Sequence, residues 1–200
     1  VRVPTTERRR QLIEAAVELM RRNGVDQVTL RAIAQQAGAP LATLHYCFRD
    51  KDELMRAAAD HWLERFVRDP VPDEVPLEGG LRAVMDRISA AFWTLIETTP
   101  ADLRAQIELV TWAVRDGTHP ALAESMYSRY EATLGDVFAR TLDAAGEHSD
   151  VDPRVLARGY VAAVDGAVLQ YISEPASPRP REIFDLMVEA LLLRAGILKR

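Results

Sequence analysis

Hydrophobic positions recur at three- and four-residue intervals along almost the whole chain, and nowhere do they alternate in twos for the length of a strand. The pattern predicts an all-α fold of about nine helices with no sheet. From Thr6 to Arg22 one stripe contains Leu12, Ile13, Ala16, Val17, Leu19 and Met20, and Gly24 closes that helix. Thr29 stands where it can cap a second helix whose inner face is Leu30, Ile33, Ala34 and Ala37, with Gly38 behind it. Pro40 suits the first turn of a third, and a fourth begins near Lys51 and runs to about Arg68. The stretch DPVPDEVPLEGG, residues 69–80, reads as a linker. Five more helices are expected over Leu81–Thr98, Pro100–Asp116, Pro120–Ala145, Pro153–Ser173 and Pro180–Ile197, most of them starting at or beside proline or a capping side chain. The predicted division is a helix-turn-helix domain over residues 1–50 and a helical body over 51–200, with the helix 51–68 connecting them.

The second and third helices are too short to be stable alone in water. Two such helices joined by a glycine turn and backed by a longer first helix form a helix-turn-helix, whose second short helix enters the DNA major groove. At 100° per residue, Leu44 and Phe48 point into the small core, Ala42, Thr43 and Tyr46 point away from it, and His45 and Cys47 lie on the flanks. Leu41 falls at the core edge, yet its place in the first turn can bring it to a thymine methyl. Ala42 permits close backbone approach, Thr43 offers a hydroxyl, and His45 and Tyr46 offer polar tips. Thr29 and Lys51 sit at helix N-termini, where amides already attract phosphate. The run Arg8-Arg9-Arg10 reads as a solvated face and Cys47 as a semi-buried inert thiol.

The stretch TLRAIAQQAGAPLATLHYCFRDKDEL, Thr29–Leu54, resembles the signature of the TetR family of bacterial transcription regulators. It has the Thr-led second helix, the Ile-Ala-x-x-Ala-Gly turn, a third helix of Thr-Leu, two aromatic positions and Phe, and then Lys-x-x-Leu. The resemblance covers about the first 56 residues closely and implies DNA contacts from Thr29, Arg31, Ala42, Thr43, His45, Tyr46 and Lys51. Pro40 stands where the family usually has a capping Ser or Thr, His45 where Tyr is commonest, and Ala42 where Gly is frequent. The helical remainder resembles the family's ligand-binding and dimerisation domain, and Tyr160–Gln170 resembles the C-terminal class shared with betaine-pathway repressors.

In the body, Trp93 leaves the main stripe of the fifth helix, and Glu108 and Trp112 leave that of the sixth. With Tyr127 and Tyr130 on the seventh, they are the expected lining of an inducer pocket. At least one of the two tryptophans should border a cavity of roughly 300–1,000 Å³. A carboxylate beside aromatic rings suits a cationic ligand. On the eighth helix Gly159, Ala162, Ala163 and Gly166 form a strip of small residues, and the ninth offers Phe184, Met187, Val188 and Leu191 among a broad apolar face. These eight residues are the expected interface of a homodimer, which a palindromic operator requires.

Charge sharpens the division. Net charge is −5, yet residues 1–56 hold ten basic and seven acidic side chains while the remainder holds 15 and 23. A basic head on an acidic body argues against an architectural DNA-binding protein without a ligand, which would be basic throughout. The enzyme alternative lacks support: there is no Glu-x-x-His pair of a di-iron bundle, no Gly-rich phosphate loop and no cysteine pair, and Asp116 and His119 flank a Gly/Pro break. No catalytic residue, cofactor or metal is expected. No apolar run long enough to span a membrane and no signal-peptide pattern is present, and a lone cysteine suits a cytoplasmic setting. The expectation is a homodimeric repressor that binds double-stranded palindromic operator DNA and is released by a small-molecule inducer.

Overall fold

The computed structural model describes residues 4–64, 78–115 and 119–198, except for the side chains of residues 63 and 120. Its elements are α1 (Thr5–Asn23), a 3₁₀ turn (Val25–Gln27), α2 (Leu30–Gln36), α3 (Leu41–Cys47), α4 (Lys51–Leu63), α5 (Gly80–Thr98), α6 (Pro100–Arg115), α7 (Pro120–Ala145), α8 (Pro153–Ser173) and α9 (Arg179–Arg194). Among the described residues there is no strand. The expected end of the fourth helix (65–68), most of the linker (69–77) and residues 116–118 lie outside the described residues.

The chain forms two compact units, one of residues 1–62 and 101–126 and another of residues 63–100 and 127–200. Packing therefore groups α4 and α6 with the head, since Leu54, Met55 and Trp62 of α4 and Leu103 and Leu109 of α6 are all fully buried or nearly so.

In the first unit, α1 packs on α2 and α3 through Leu12, Ala16, Met20, Ile33, Leu44 and Phe48, all at most 1% exposed. Each of these side chains larger than Ala contributes about 1.5–3 kcal/mol by leaving water, which is what holds two seven-residue helices in place. Thr29 caps α2 as expected: its Oγ1 accepts from the Ala32 amide at 3.2 Å. Gly38 adopts the left-handed conformation (φ 59°) that lets the Ala39 amide return to the Ala34 carbonyl at 2.9 Å, making the tight turn into α3. Arg9, expected on a solvated face, instead closes this core. Its guanidinium lies 4.1 Å over the Phe48 ring, donates to the Cys47 carbonyl at the end of α3, and pairs with Glu53 at 3.2 Å. Asp50 and Glu53 form a reciprocal cap on α4: Asp50 Oδ1 accepts from the Glu53 amide at 2.7 Å, and Glu53 Oε2 from the Arg49 amide at 3.0 Å.

In the second unit, α5, α8 and α9 surround an aromatic cluster. Tyr160 and Phe184 meet edge to face at 5.7 Å, Phe138 meets Tyr160 at 6.2 Å, and Trp93 meets Phe184 at 5.8 Å. The buried Tyr160 hydroxyl is satisfied by Ser89 Oγ at 3.1 Å. Asp152 caps α8 by accepting from the Arg154 and Val155 amides. Gly159 allows α8 and α9 to approach closely: a Cβ there would lie 2.8 Å from Leu191 Cδ2. On the outside of this pair Val155, Leu169, Leu186 and Met187 are exposed.

Candidate nucleic-acid interface and ligand sites

On α3, one face is core and the other is solvent. Leu44, Cys47 and Phe48 are buried, whereas Leu41, Ala42 and His45 are exposed, Thr43 is half-buried, and Tyr46 is 74% exposed. A tyrosine so exposed, on a helix this short, contributes little to packing and presents its ring and hydroxyl outward. Thr29 and Arg31 are also exposed, at the N-terminus of α2. Arg31 makes no ion pair among the described residues. A cation in the first turn opposes the helix dipole, so its value to the molecule does not come from stabilising α2. Together these groups offer hydroxyls, an aromatic edge, an imidazole and a guanidinium, a set suited to phosphate oxygens and base edges.

Lys51 is placed differently from its neighbours. It begins α4 but is half-buried, with Nζ 5.2 Å from the centre of the Trp112 ring on α6. Burial pushes its ammonium below the ordinary lysine range, with Asp26 and Asp52 opposing the shift. Trp112 also stacks on His119 at 4.4 Å and 15°, and His119 Nδ1 is 2.9 Å from Asp52 Oδ2. Arg115 forks onto Asp26 at 2.7 and 3.1 Å, and Arg21 reaches Asp102 at 3.0 Å. These contacts tie α6 to α1, the 3₁₀ turn and α4.

The five expected pocket residues fall in two different units. Trp112 and Glu108 belong to the first unit, where Trp112 braces Lys51 and the Glu108 carboxylate sits beside Gly24. The apolar face that suggested a pocket wall is a contact between helices. Trp93, in the second unit, does border a cleft of about 540 Å³ between α5 and α9, with Arg82, Asp86, Ser89, Arg181 and Asp185 among its walls. Those walls mix charged side chains with Ala90, Leu186, Val188 and Leu192, and the cleft includes neither Tyr127 nor Tyr130. The Trp93 indole N–H is buried without a hydrogen-bond partner. Tyr130 is buried and Tyr127 half-buried, its hydroxyl donating to Asp165 Oδ2 at 2.7 Å. Asp165 went unremarked in the sequence, although it is the only charged residue between Tyr160 and Gln170.

The expected dimer residues also divide. Ala163, Phe184 and Val188 are buried within the protomer, and Gly159 and Leu191 meet each other there. They serve α8–α9 packing within the protomer, with Gly159 and Leu191 half-buried. Ala162, Gly166 and Met187 remain accessible, and Gly166 faces open space. Helical phase finds a small or apolar face but not which neighbour covers it. Among the described residues no three His, Cys, Asp or Glu side chains group as metal ligands, and no helix is long and apolar enough to cross a membrane.

Residues 12–58 match the family model of bacterial regulatory proteins of the tetR family, and residues 81–193 match that of the BetI-type transcriptional repressor C-terminal domain. The chain is 36% identical over 197 residues, 98% of its length and 100% of the relative's, to the HTH-type nicotine-responsive transcriptional repressor HdnoR of Paenarthrobacter nicotinovorans. Its fold is similar to that of a transcriptional regulator from Pseudomonas aeruginosa PAO1 (TM-score 0.72, 24% identity, 98% of this chain and 94% of that one). It is also similar to the multidrug binding protein EbrR complexed with ethidium (TM-score 0.69, 23% identity, 92% of this chain and 98% of that one).

Proposed function

Because the chain belongs to the TetR family and is a helix-turn-helix transcriptional repressor rather than an enzyme, we propose that it works as a homodimer on palindromic double-stranded DNA and is released by a small organic inducer. Residues 1–50 serve as the DNA-binding domain and 51–200 as the inducer-binding and dimerisation domain. The observation that carries the DNA reading is the outward face of α3, where Tyr46, His45 and Ala42 stand clear of a fully buried opposite face. Thr43 and Leu41 complete that face, and Thr29, Arg31 and Lys51 supply phosphate contacts around it. The apolar side chains left exposed on α8 and α9 support a second copy as their cover. The full-length likeness to a nicotine-responsive repressor supports inducer control. Inducer acts by binding the DNA-incompetent arrangement more tightly than the competent one, and a tenfold loss of operator affinity needs about 1.4 kcal/mol of such coupling.

The test is selection of bound DNA from a random pool by the purified protein, followed by titration of the selected site with and without nicotine. The expected result is a two-fold symmetric site bound far more tightly than random DNA, and Tyr46→Ala should weaken it. Selection of no site, or of one without dyad symmetry, overturns the reading.

A further inference from the structure

Asp165, itself half-buried, lies on the same stripe of α8 as Val161 and Val168, four residues before and three after it, and both valines are buried. A carboxylate in such a setting is costly unless a cation compensates it. None does so directly. Asp165 Oδ2 accepts from the Tyr127 hydroxyl, and Oδ1 accepts no hydrogen bond among the described residues. The cation whose charge it feels, Arg158, is engaged elsewhere: its guanidinium covers the Tyr127 ring at 4.6 Å and lies 3.6 Å from Glu131. Burial pushes the Asp165 carboxyl above the usual carboxylate range, against the opposing pull of Tyr127 and Arg158. Next to it Gly166 leaves space, since a Cβ there would meet nothing within 4 Å.

We propose that Asp165, held in orientation by Tyr127, binds the protonated nitrogen of a small organic amine. An uncharged molecule of the same shape would leave the recessed carboxylate uncompensated, so the site selects for charge. Tyr127 is the positioning residue: its hydroxyl occupies Oδ2 and leaves Oδ1 for the ligand. The assignment names the chemical class of the inducer and rests on the reading that the C-terminal unit holds the inducer site.

Calorimetric titration of the full chain decides it. The probes are (S)-nicotine, whose pyrrolidine nitrogen is protonated at neutral pH; triethylamine, likewise protonated; and cotinine, in which that nitrogen belongs to an uncharged lactam. Both cations should bind, and cotinine should bind roughly tenfold more weakly or worse, the worth of a charge-assisted contact. Asp165→Asn should lose about tenfold or more for the cations and nothing for cotinine. Asp165→Glu should recover part of the loss, and Tyr127→Phe should fall between. Asp165→Asn should keep the wild-type melting temperature and operator affinity, because it removes a half-buried charge and no base is paired with it. The proposal is overturned if neither cation binds the wild type, if the cations bind Asp165→Asn equally well, or if that variant changes the monomer–dimer balance, which would give the carboxylate to a partner's base. Cation binding that needs Asp165 but leaves operator binding untouched would uphold the site and refute inducer control through it. Operator release by an uncharged compound, without amine binding, would do the reverse.

Discussion

Glu53 accepts hydrogen bonds from the Arg49 amide and from the Arg9 and Arg49 side chains, so one carboxylate joins α1, the end of α3 and the start of α4. The backbone bond from Arg49 does most to hold its carboxyl below the usual range, with the arginine side chains adding to it. A depressed carboxyl pKa contributes stability that is present above the unfolded-state value and lost as pH falls through the folded one. Glu53→Gln should therefore lower the melting temperature at neutral pH, and the gap to wild type should close in strongly acidic buffer. Thermal melts followed by circular dichroism across pH check this; a gap that persists at low pH would assign the effect to packing. Lys51 is the other residue whose role depends on its surroundings. Lys51→Ala should weaken binding to operator and random DNA alike and lower the salt slope by about one. Titrations at several salt concentrations measure it, and an unchanged slope would mean that the Trp112 contact keeps this cation from phosphate.

Two glycines on one face of α8, two turns apart, separate two functions of the element. Gly159 is already in tight contact with Leu191 of the same protomer, so Gly159→Leu should cost about 1–3 kcal/mol or more by overpacking. Gly166 meets no neighbour, and Gly166→Leu should leave the protomer's fold intact. If the accessible side of α8 is the dimer interface, the second change weakens the dimer without lowering stability in proportion. Analytical ultracentrifugation beside a denaturant melt distinguishes them; a Gly166→Leu protein that remains a tight dimer would place the interface elsewhere. The short α2 depends on its cap in the same local way, and Thr29→Ala should cost about 0.5–2 kcal/mol while weakening DNA binding.

For the proposed homodimer the relevant quantity is the distance between two heads rather than the strength of either. A dimer reading successive major grooves needs half-sites about 34–36 Å apart. Inserting half a helical turn, about five base pairs, at the centre of a selected operator should reduce affinity to the random-DNA level, and a full turn should restore only part of it. Electrophoretic mobility shifts with the three spacings provide the measurement. Equal binding to all three would show that the heads act independently. The acidic body bears on this too, because its net negative charge opposes non-specific attraction to DNA and leaves affinity dependent on the α3 face.

Helix order, the cap at Thr29, the turn at Gly38 and the inward residues of α1–α3 were legible in the sequence, because each depends on residues within a few positions of one another. The outward face of α3 was legible for the same reason: a seven-residue helix with one buried side has only one other side. Trp112, Gly159 and Asp165 were not. Each lies on a helix face whose direction the periodicity gives, but what it meets — Lys51, Leu191, Tyr127 — comes from a distant part of the chain. Sequence determined which sides of the helices are apolar. Tertiary packing alone decided which of those sides are closed within the protomer, which remain open, and which polar groups are enclosed with them.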